Sequence, residues 1–148
     1  MQHQDLTADQ TRDLRALAGM IIPPSTIYDV PGADDEKIFD DILRNLERDR
    51  DDIDRALSHL AAIGGCAFAD LEPEHRTEVT KAFREVGGAP LAALVRVVLL
   101  CYYRDDRVMR SLGQEVRPPF PRGHVVEQGD WSLLDPVRAR LPMYRTVD

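Results

Sequence analysis

The longest apolar run of the chain extends from Ala89 to Tyr103, 15 residues that contain a single charge, Arg96. This run is too short to cross a bilayer, which takes roughly 20 apolar residues. Pro90 suits the first turn of a helix, where its missing N–H leaves no hydrogen bond unmade. Because nearly every side of such a helix is apolar, other elements have to surround it. The run therefore predicts a central, buried helix that ends at Tyr103.

Three helices are predicted before this run. Thr7-Ala-Asp-Gln10 has the form of a capping box, and the helix that it opens is predicted to stop at Pro23-Pro24, since proline disfavours helical geometry in the residue before it. A second helix is predicted from after Asp34 to Ile63, closed by Gly64-Gly65. The residues predicted to face inward are Leu14, Leu17, Ala18 and Ile21 in the first helix, and Ile38, Ile42, Leu46, Ile53, Leu57 and Leu60 in the second.

A third helix is predicted to begin at Pro73 and to end at Gly87-Gly88, with Val79, Ala82, Phe83 and Val86 inward. A short helix is predicted after Asp105-Asp106, and a last turn or two after Asp135-Pro136. No stretch shows the alternation typical of a strand. The sequence therefore predicts an all-α fold, a compact bundle of four to five helices followed by an extended proline-rich C-terminal arm and a short terminal helix. The predicted domains are 1–113, the helical domain, and 114–148, the arm and short helix.

The charge of the chain is unevenly distributed. Residues 1–74 carry 17 acidic and 7 basic side chains, whereas residues 75–148 carry 9 acidic and 12 basic ones. The basic residues Arg104, Arg107 and Arg110 alternate with Asp105 and Asp106, so they do not form the clustered basic face that nucleic acid requires. Nucleic acid is therefore not an expected partner, and no membrane segment is expected.

No pattern in the sequence has the form of an active site. The four histidines share no metal-ligand spacing, and the two glycine pairs end helices instead of following strands. Cys66 and Cys101 have neither a metal nor a redox spacing, and no cysteine belongs to a c-type haem motif. No catalytic, cofactor-binding or metal-binding residue is therefore assigned.

The arm combines prolines, aromatics and arginines, a composition typical of protein interfaces. Its aromatic side chains either cap the helices of the same domain or lie on another protein. Prolines pre-extend the chain, which lowers the entropic cost of docking. The second alternative predicts a partner interface, whose candidate residues are Tyr102, Tyr103, Arg104, Arg117, Pro118, Pro119, Phe120, Pro121, Arg122 and Trp131. Adjacent residues of a helix cannot face the same neighbour, so one of the two tyrosines is expected in the core.

Three segments, in this order, resemble the gluconate 2-dehydrogenase subunit 3 family. They are LTADQ…LRALAGMIIPPS…VPGAD, then LVRVVLLCYYRDDRVMRSLG, then RPPFPRG. The resemblance covers roughly Leu6 to Gly123, and its most specific parts are IIPP followed by PGA, and YYRDDRV followed by LG. Members of this family are small helical subunits that accompany a large flavin-dependent sugar or polyol dehydrogenase of the glucose–methanol–choline (GMC) oxidoreductase type.

The resemblance implies an accessory role. It places the FAD and the catalytic histidine in the large subunit, and it implies that the small subunit supports the folding and stability of its partner. A cytochrome subunit or another electron acceptor is a further partner that the resemblance leaves open. The alternatives from other classes are a stand-alone helical binding or regulatory module and, less favoured by the residues, a small enzyme.

Many members of the family begin with a twin-arginine export leader, which the residues MQHQD before Leu6 do not resemble. A cytoplasmic complex that oxidises a sugar, polyol or glycoside is therefore expected. A leader removed from a longer precursor would instead imply the periplasm.

Truncation after Gly113 is predicted to leave the helical core largely folded, because the apolar stripes lie upstream, and to weaken assembly with the large subunit. Phe120→Ala and Trp131→Ala are each expected to weaken assembly by about 2 kcal/mol or more if they behave as interface hot spots. Circular dichroism measures the fold, and titration of the purified subunits measures the affinity. Full affinity in the truncated chain would show that the arm is wrongly assigned.

Overall fold

The fold is all-α, as the sequence predicts. The computed structural model describes residues 6–118, 120–123, 125 and 127–141, and it divides the chain into two compact units, Met1–Val116 and Arg117–Asp148. In the first unit the described helices are α1 (Ala8–Ile21), α2 (Glu36–Arg44), α3 (Arg50–Gly64), α4 (Pro73–Val86), α5 (Gly88–Tyr103) and α6 (Asp106–Ser111). The second unit contains a 3₁₀ turn, Trp131–Leu134, followed by the short helix α7 (Asp135–Arg138).

Several predicted helix ends are confirmed. Thr7 and Gln10 form a reciprocal capping box, with hydrogen bonds of 2.9 and 3.1 Å between side chain and backbone. Pro73 occupies the first turn of α4. Gly65 ends α3 in the left-handed conformation, φ 73°, which a glycine adopts without steric cost.

The prediction of one continuous second helix is wrong, because the structure has two helices in this segment. α2 ends at Arg44, and a 3₁₀ turn, Glu47–Asp49, separates it from α3. The side-chain amide of Asn45 donates to the carbonyl oxygen of Asp41 at 2.8 Å and to its carboxylate at 3.2 Å. Such side-chain bonds offer the backbone an alternative to the next helical turn. The first unit therefore has six described α-helices instead of four or five, while Leu46 at the break remains buried.

α5 is the central helix of the first unit, as predicted. It packs against α1, α2, α3 and α6, and α3 also packs against α4. The buried residues shared by these helices form one core, which comprises Leu14, Leu17, Ala18, Ile38, Phe39, Ile42, Ile53, Ala56, Leu57, Leu60, Val79, Phe83, Ala93, Leu94, Val97, Val98, Cys101, Tyr102 and Val108. Of the residues predicted inward, Ile21 and Ala82 are only half-buried. Val86 is 60% exposed, so its predicted burial is wrong.

The backbone of a single residue, Ala69, connects α1 and α4. The buried carboxylate of Asp13 accepts a hydrogen bond from the backbone N–H of Ala69 at 2.8 Å. The guanidinium of Arg76 donates to the carbonyl oxygen of the same residue at 2.6 Å. Both polar atoms of Ala69 are thus satisfied by side chains from different helices, which ties α1 and α4 to the 3₁₀ turn Phe68–Asp70.

None of the described helices is long and apolar enough by itself to cross a membrane. α4 and α5 meet the criteria of length and composition only as a pair, across a bend of 118°.

Candidate functional site

The loop before α2 and the region where α5 passes into α6 meet at one end of the first unit. These are the segments that carry PGA and YYRDDRV, and we call their meeting point the motif junction: Pro31, Asp35, Tyr102, Asp105 and Arg107. The hydroxyl of Tyr102 donates to the carbonyl oxygen of Pro31 at 3.2 Å. The guanidinium of Arg107 donates to both carboxylate oxygens of Asp35, at 2.6 and 3.1 Å. Motifs about 70 positions apart in sequence are therefore held together by direct hydrogen bonds.

Arg107 links the N-terminal caps of two helices. Asp35 caps α2 by accepting hydrogen bonds from the backbone N–H groups of Lys37 and Ile38. Asp105 caps α6 by accepting one from the backbone N–H of Arg107 at 2.9 Å. The same guanidinium also donates to Asp105, at 2.9 and 3.1 Å. Each carboxylate thus satisfies a helix terminus and a cation at once.

The charges of the junction are balanced. The hydrogen bonds from Arg107 lower the pKa of both Asp35 and Asp105, against the opposing effect of burial. Lys37 adds a second cation, with its ammonium 3.8 Å from the Asp105 carboxylate. Both aspartates are therefore ionised at neutral pH and paired, which is the arrangement of a structural lock.

An open cleft lies beside the junction. Ser25 and Val30 exchange two backbone hydrogen bonds of 3.0 Å, which close a tight hairpin. Its tip exposes Ile27 and Tyr28, 87% and 70% respectively. The hairpin and α6 enclose a cleft of about 700 Å³ that Tyr28, Arg107 and Arg110 help to line. The cleft is large enough to receive a side chain or loop of another molecule.

A second polar cluster adjoins the junction, since Asp41, Cys101 and Arg104 line one pocket together with Asp105. Arg104 donates to the carboxylate of Asp41 at 2.5 Å, and this bond lowers the pKa of Asp41. Beside it, burial raises the pKa of the Cys101 thiol to about 11. A thiol with such a pKa is protonated and unreactive at neutral pH, and Cys101 packs in the core as a small apolar side chain.

The two adjacent tyrosines have opposite environments. Tyr102 is 4% exposed, and burial raises the pKa of its hydroxyl. Tyr103 is 53% exposed and packs edge-on against the Tyr102 ring at 5.3 Å between centroids. Tyr102 is therefore the core residue of the pair, and it offers little surface to a partner.

One side of α5 is exposed, which corrects the prediction that this helix is buried on nearly every side. We call this side the α5 outer face; it consists of Ala92, Arg96, Leu99, Leu100 and Tyr103. Leu99 and Leu100 are 36% and 55% exposed. Arg96 forms an ion pair with Asp49, so the only charge of this face is already paired. The remaining surface is apolar and aromatic.

The remaining predicted interface residues belong to the second unit or adjoin it. Phe120 and Trp131 are 85% and 61% exposed. Pro118, Pro121 and Arg122 are exposed, and Arg117 is half-buried. Pro119 lies outside the described residues. Trp131 donates its indole N–H to the side chain of Gln128 at 3.3 Å, and Asp130 caps the turn that follows. Their contact with a partner stays a prediction, as does that of Tyr102, Tyr103 and Arg104.

In the part of the chain that the structure describes, no three His, Cys, Asp or Glu side chains are grouped so that they could hold a metal ion. Comparison with protein-family models, with curated proteins and with solved structures finds no match to the chain. The resemblance to the gluconate 2-dehydrogenase subunit 3 family thus rests on the sequence motifs alone.

Sequence reasoning missed the pairing of Asp35 with Arg107. A signal for the two caps exists, since Asp35 and Asp105 each directly precede a helix at a position where aspartate is favoured. The spacing of charges in sequence does not show which arginine reaches which cap, because that depends on the packing of α2 against α5. The exposed hairpin is likewise missed, since no structure is assigned from sequence to the residues between Pro24 and Asp34.

Arg107→Gln is expected to lower the free energy of unfolding by about 1–3 kcal/mol, because Asp105 is buried and loses its charged partner. The matched control is Arg110→Gln, since the ion pair of Arg110 with Asp106 is solvent-exposed and contributes about 0.5 kcal/mol or less. Urea unfolding measures both variants at neutral pH. Equal stability losses in the two variants would show that the junction is not a lock.

The same lock predicts a dependence on acid. Because the pKa of Asp35 and Asp105 is lowered in the folded chain, the unfolded chain binds more protons as the pH approaches their ordinary value of 3.8. The stabilisation is therefore complete above that pH and is lost as the pH falls below it. Acid titration of unfolding is expected to show a shallower loss in Arg107→Gln than in the unmodified chain.

Proposed function

We propose that the chain is a non-catalytic small subunit that binds and stabilises a large FAD-dependent oxidoreductase of the GMC type, which oxidises a hydroxyl of a sugar, polyol or glycoside. FAD would belong to the large subunit. The α5 outer face carries the proposal, because Leu99, Leu100 and Tyr103 form an apolar surface on the central helix of the core.

The energetics of this surface favour a protein partner. Burial of a fully exposed leucine side chain contributes roughly 1.5–3 kcal/mol, of which Leu99 and Leu100, 36% and 55% exposed, can still gain a part. Aromatic side chains are enriched at the centres of interfaces. Leu99 and Tyr103 are four residues apart on a helix, so they form one ridge. The backbone beneath them is rigid because the opposite side of α5 is buried. Docking on this surface therefore carries a small cost in conformational entropy.

The motif junction also supports the proposal, because it contains the segments on which the family resemblance rests. The two segments that resemble the family most specifically are the ones that Arg107 and Tyr102 hold together. Their hydrogen bonds place the exposed hairpin of Ile27 and Tyr28 beside α6, where the cleft opens. A segment held in place next to an open cleft is suited to recognition of another protein chain.

The second unit offers further anchors of the same kind. Its exposed aromatics, Phe120 and Trp131, lie among arginines, and both residue types are enriched among interface hot spots. None of the described side chains from Phe120 to Leu141 is buried. A partner surface would therefore add the burial that this unit lacks.

The direct test is co-expression with a large GMC-type oxidoreductase encoded beside this chain. A stable complex that co-purifies with the absorption spectrum of a flavin is expected, because the large subunit contributes the FAD. The chain expressed alone is expected to be colourless. A monomer that does not associate with the large protein would contradict the proposal and favour a stand-alone binding module.

The site of binding is tested by Leu99→Asp and Tyr103→Ala. Both are expected to weaken the complex by about 2 kcal/mol or more, because each removes apolar area from the proposed interface centre. Val86→Ser is the matched control, since Val86 is also exposed but lies outside the α5 outer face. Titration of the large subunit with each variant gives the affinities, and circular dichroism shows that the helices are intact. Affinities equal to that of the control would place the interface elsewhere.

A further inference from the structure

An apolar groove lies between α1, α4 and α5, away from the motif junction. Its volume is about 330 Å³. Leu17, Phe83 and Leu94 form the floor, and each is at most 1% exposed. The walls are the half-buried side chains of Met20, Ile21, Thr80, Leu91 and Val95. A groove with a buried floor and half-buried walls has the form of a small-ligand site. Its volume lies within the roughly 300–1,000 Å³ usual for such sites.

The only charge on the groove is Arg84, at its rim. Arg84 stands in the last turn of α4 and is exposed. Most arginines of the first unit are paired with aspartates or backbone carbonyls, for example Arg12, Arg50 and Arg104. Arg84 and Arg48, by contrast, form no hydrogen bond or ion pair with any residue that the structure describes. A cation without a partner beside an apolar groove is complementary to an anion with an apolar body.

Thr80, the other polar side chain that lines the groove, further limits the chemical class of the ligand. The hydroxyl of Thr80 donates to the carbonyl oxygen of Arg76 at 2.8 Å. Its hydrogen is thus already used, and Thr80 offers a ligand only an acceptor. A carboxylate accepts hydrogen bonds and donates none, so Arg84 is the group on this groove that can bind it.

The volume sets the size of the ligand. The groove of about 330 Å³ lies near the lower end of the roughly 300–1,000 Å³ usual for small-ligand sites. A carboxylate with an unbranched chain of about eight carbons is a ligand of this small class. Met20 is flexible and adapts its shape to such a chain.

We propose that this groove binds an amphipathic monocarboxylate of medium chain length. The hydrocarbon chain lies on Leu17, Phe83 and Leu94, and the carboxylate forms a charge-assisted hydrogen bond with the guanidinium of Arg84. None of the residues that line the groove belongs to the α5 outer face, so the chain alone is expected to bind this ligand.

The test uses octanoate and octanol as probes and the purified full-length chain alone. Isothermal titration calorimetry is expected to show that octanoate binds about tenfold more tightly than octanol, because only the carboxylate forms a charge-assisted hydrogen bond with Arg84. Arg84→Gln is expected to weaken octanoate binding about tenfold and to leave octanol binding unchanged. Arg48→Gln is the matched control, since Arg48 is the other arginine of the first unit that pairs with none of the described residues, and it does not line the groove.

A second variant tests the location of the site. Val95→Phe fills the groove from α5 and is expected to abolish binding of both probes, while circular dichroism confirms that the helices remain. Three results would overturn the proposal: no binding of octanoate to the unmodified chain, equal affinities for octanoate and octanol, or full octanoate affinity in either Arg84→Gln or Val95→Phe. Weakening by Arg84→Gln but not by Arg48→Gln, together with loss in Val95→Phe, supports it.

Discussion

Burial of one side of α5 organises the first unit, because α1, α2, α3 and α6 all pack against it. Ala93, Leu94, Val97, Val98, Cys101 and Tyr102 form that buried side. Their burial determines where α1, α2 and α3 lie, and it leaves Leu99, Leu100 and Tyr103 on the opposite side. The core and the proposed interface are thus two faces of one helix. A change in the rotation of α5 would alter both at once.

The motif junction determines how the end of α5 connects to the rest of the unit. Without a cation between them, the two caps of α2 and α6 would place carboxylates in a common, partly buried space. Arg107 makes this placement favourable and ties the loop that precedes α2 to α6. This explains in physical terms why residues from PGADD and from YYRDDRV contact each other in the folded chain. It also gives the hairpin next to them a rigid base.

Much of the fold is predictable from local patterns, because each pattern depends on interactions between residues close in sequence. The capping box at Thr7, the proline of α4 and the left-handed glycine after α3 all act within a few residues. The break at Asn45 was missed because the apolar stripe continues across it through Leu46. Asn45 ends α2 through a side-chain hydrogen bond to Asp41. The spacing of apolar residues carries no information about such a bond.

The candidate site is less predictable, because it depends on distant pairing. Composition alone predicts that α5 is buried on every side, and only the packing of the described helices shows that Leu99, Leu100 and Tyr103 are exposed. The sequence indicates that Tyr102 and Tyr103 face different ways, but not which one faces the core. The apolar groove combines residues of three helices with Arg84, and no single stretch of sequence contains that combination.

The central claim, that the α5 outer face binds a large flavoprotein, is tested most directly by hydroxyl-radical footprinting of the two adjacent tyrosines. In the chain alone, Tyr103 is expected to be oxidised and Tyr102 to be protected, because their exposed fractions are 53% and 4%. In the complex, the account predicts that Tyr103 becomes protected while Tyr102 is unchanged. Oxidation of Tyr103 at the same rate in the complex as in the free chain would contradict it.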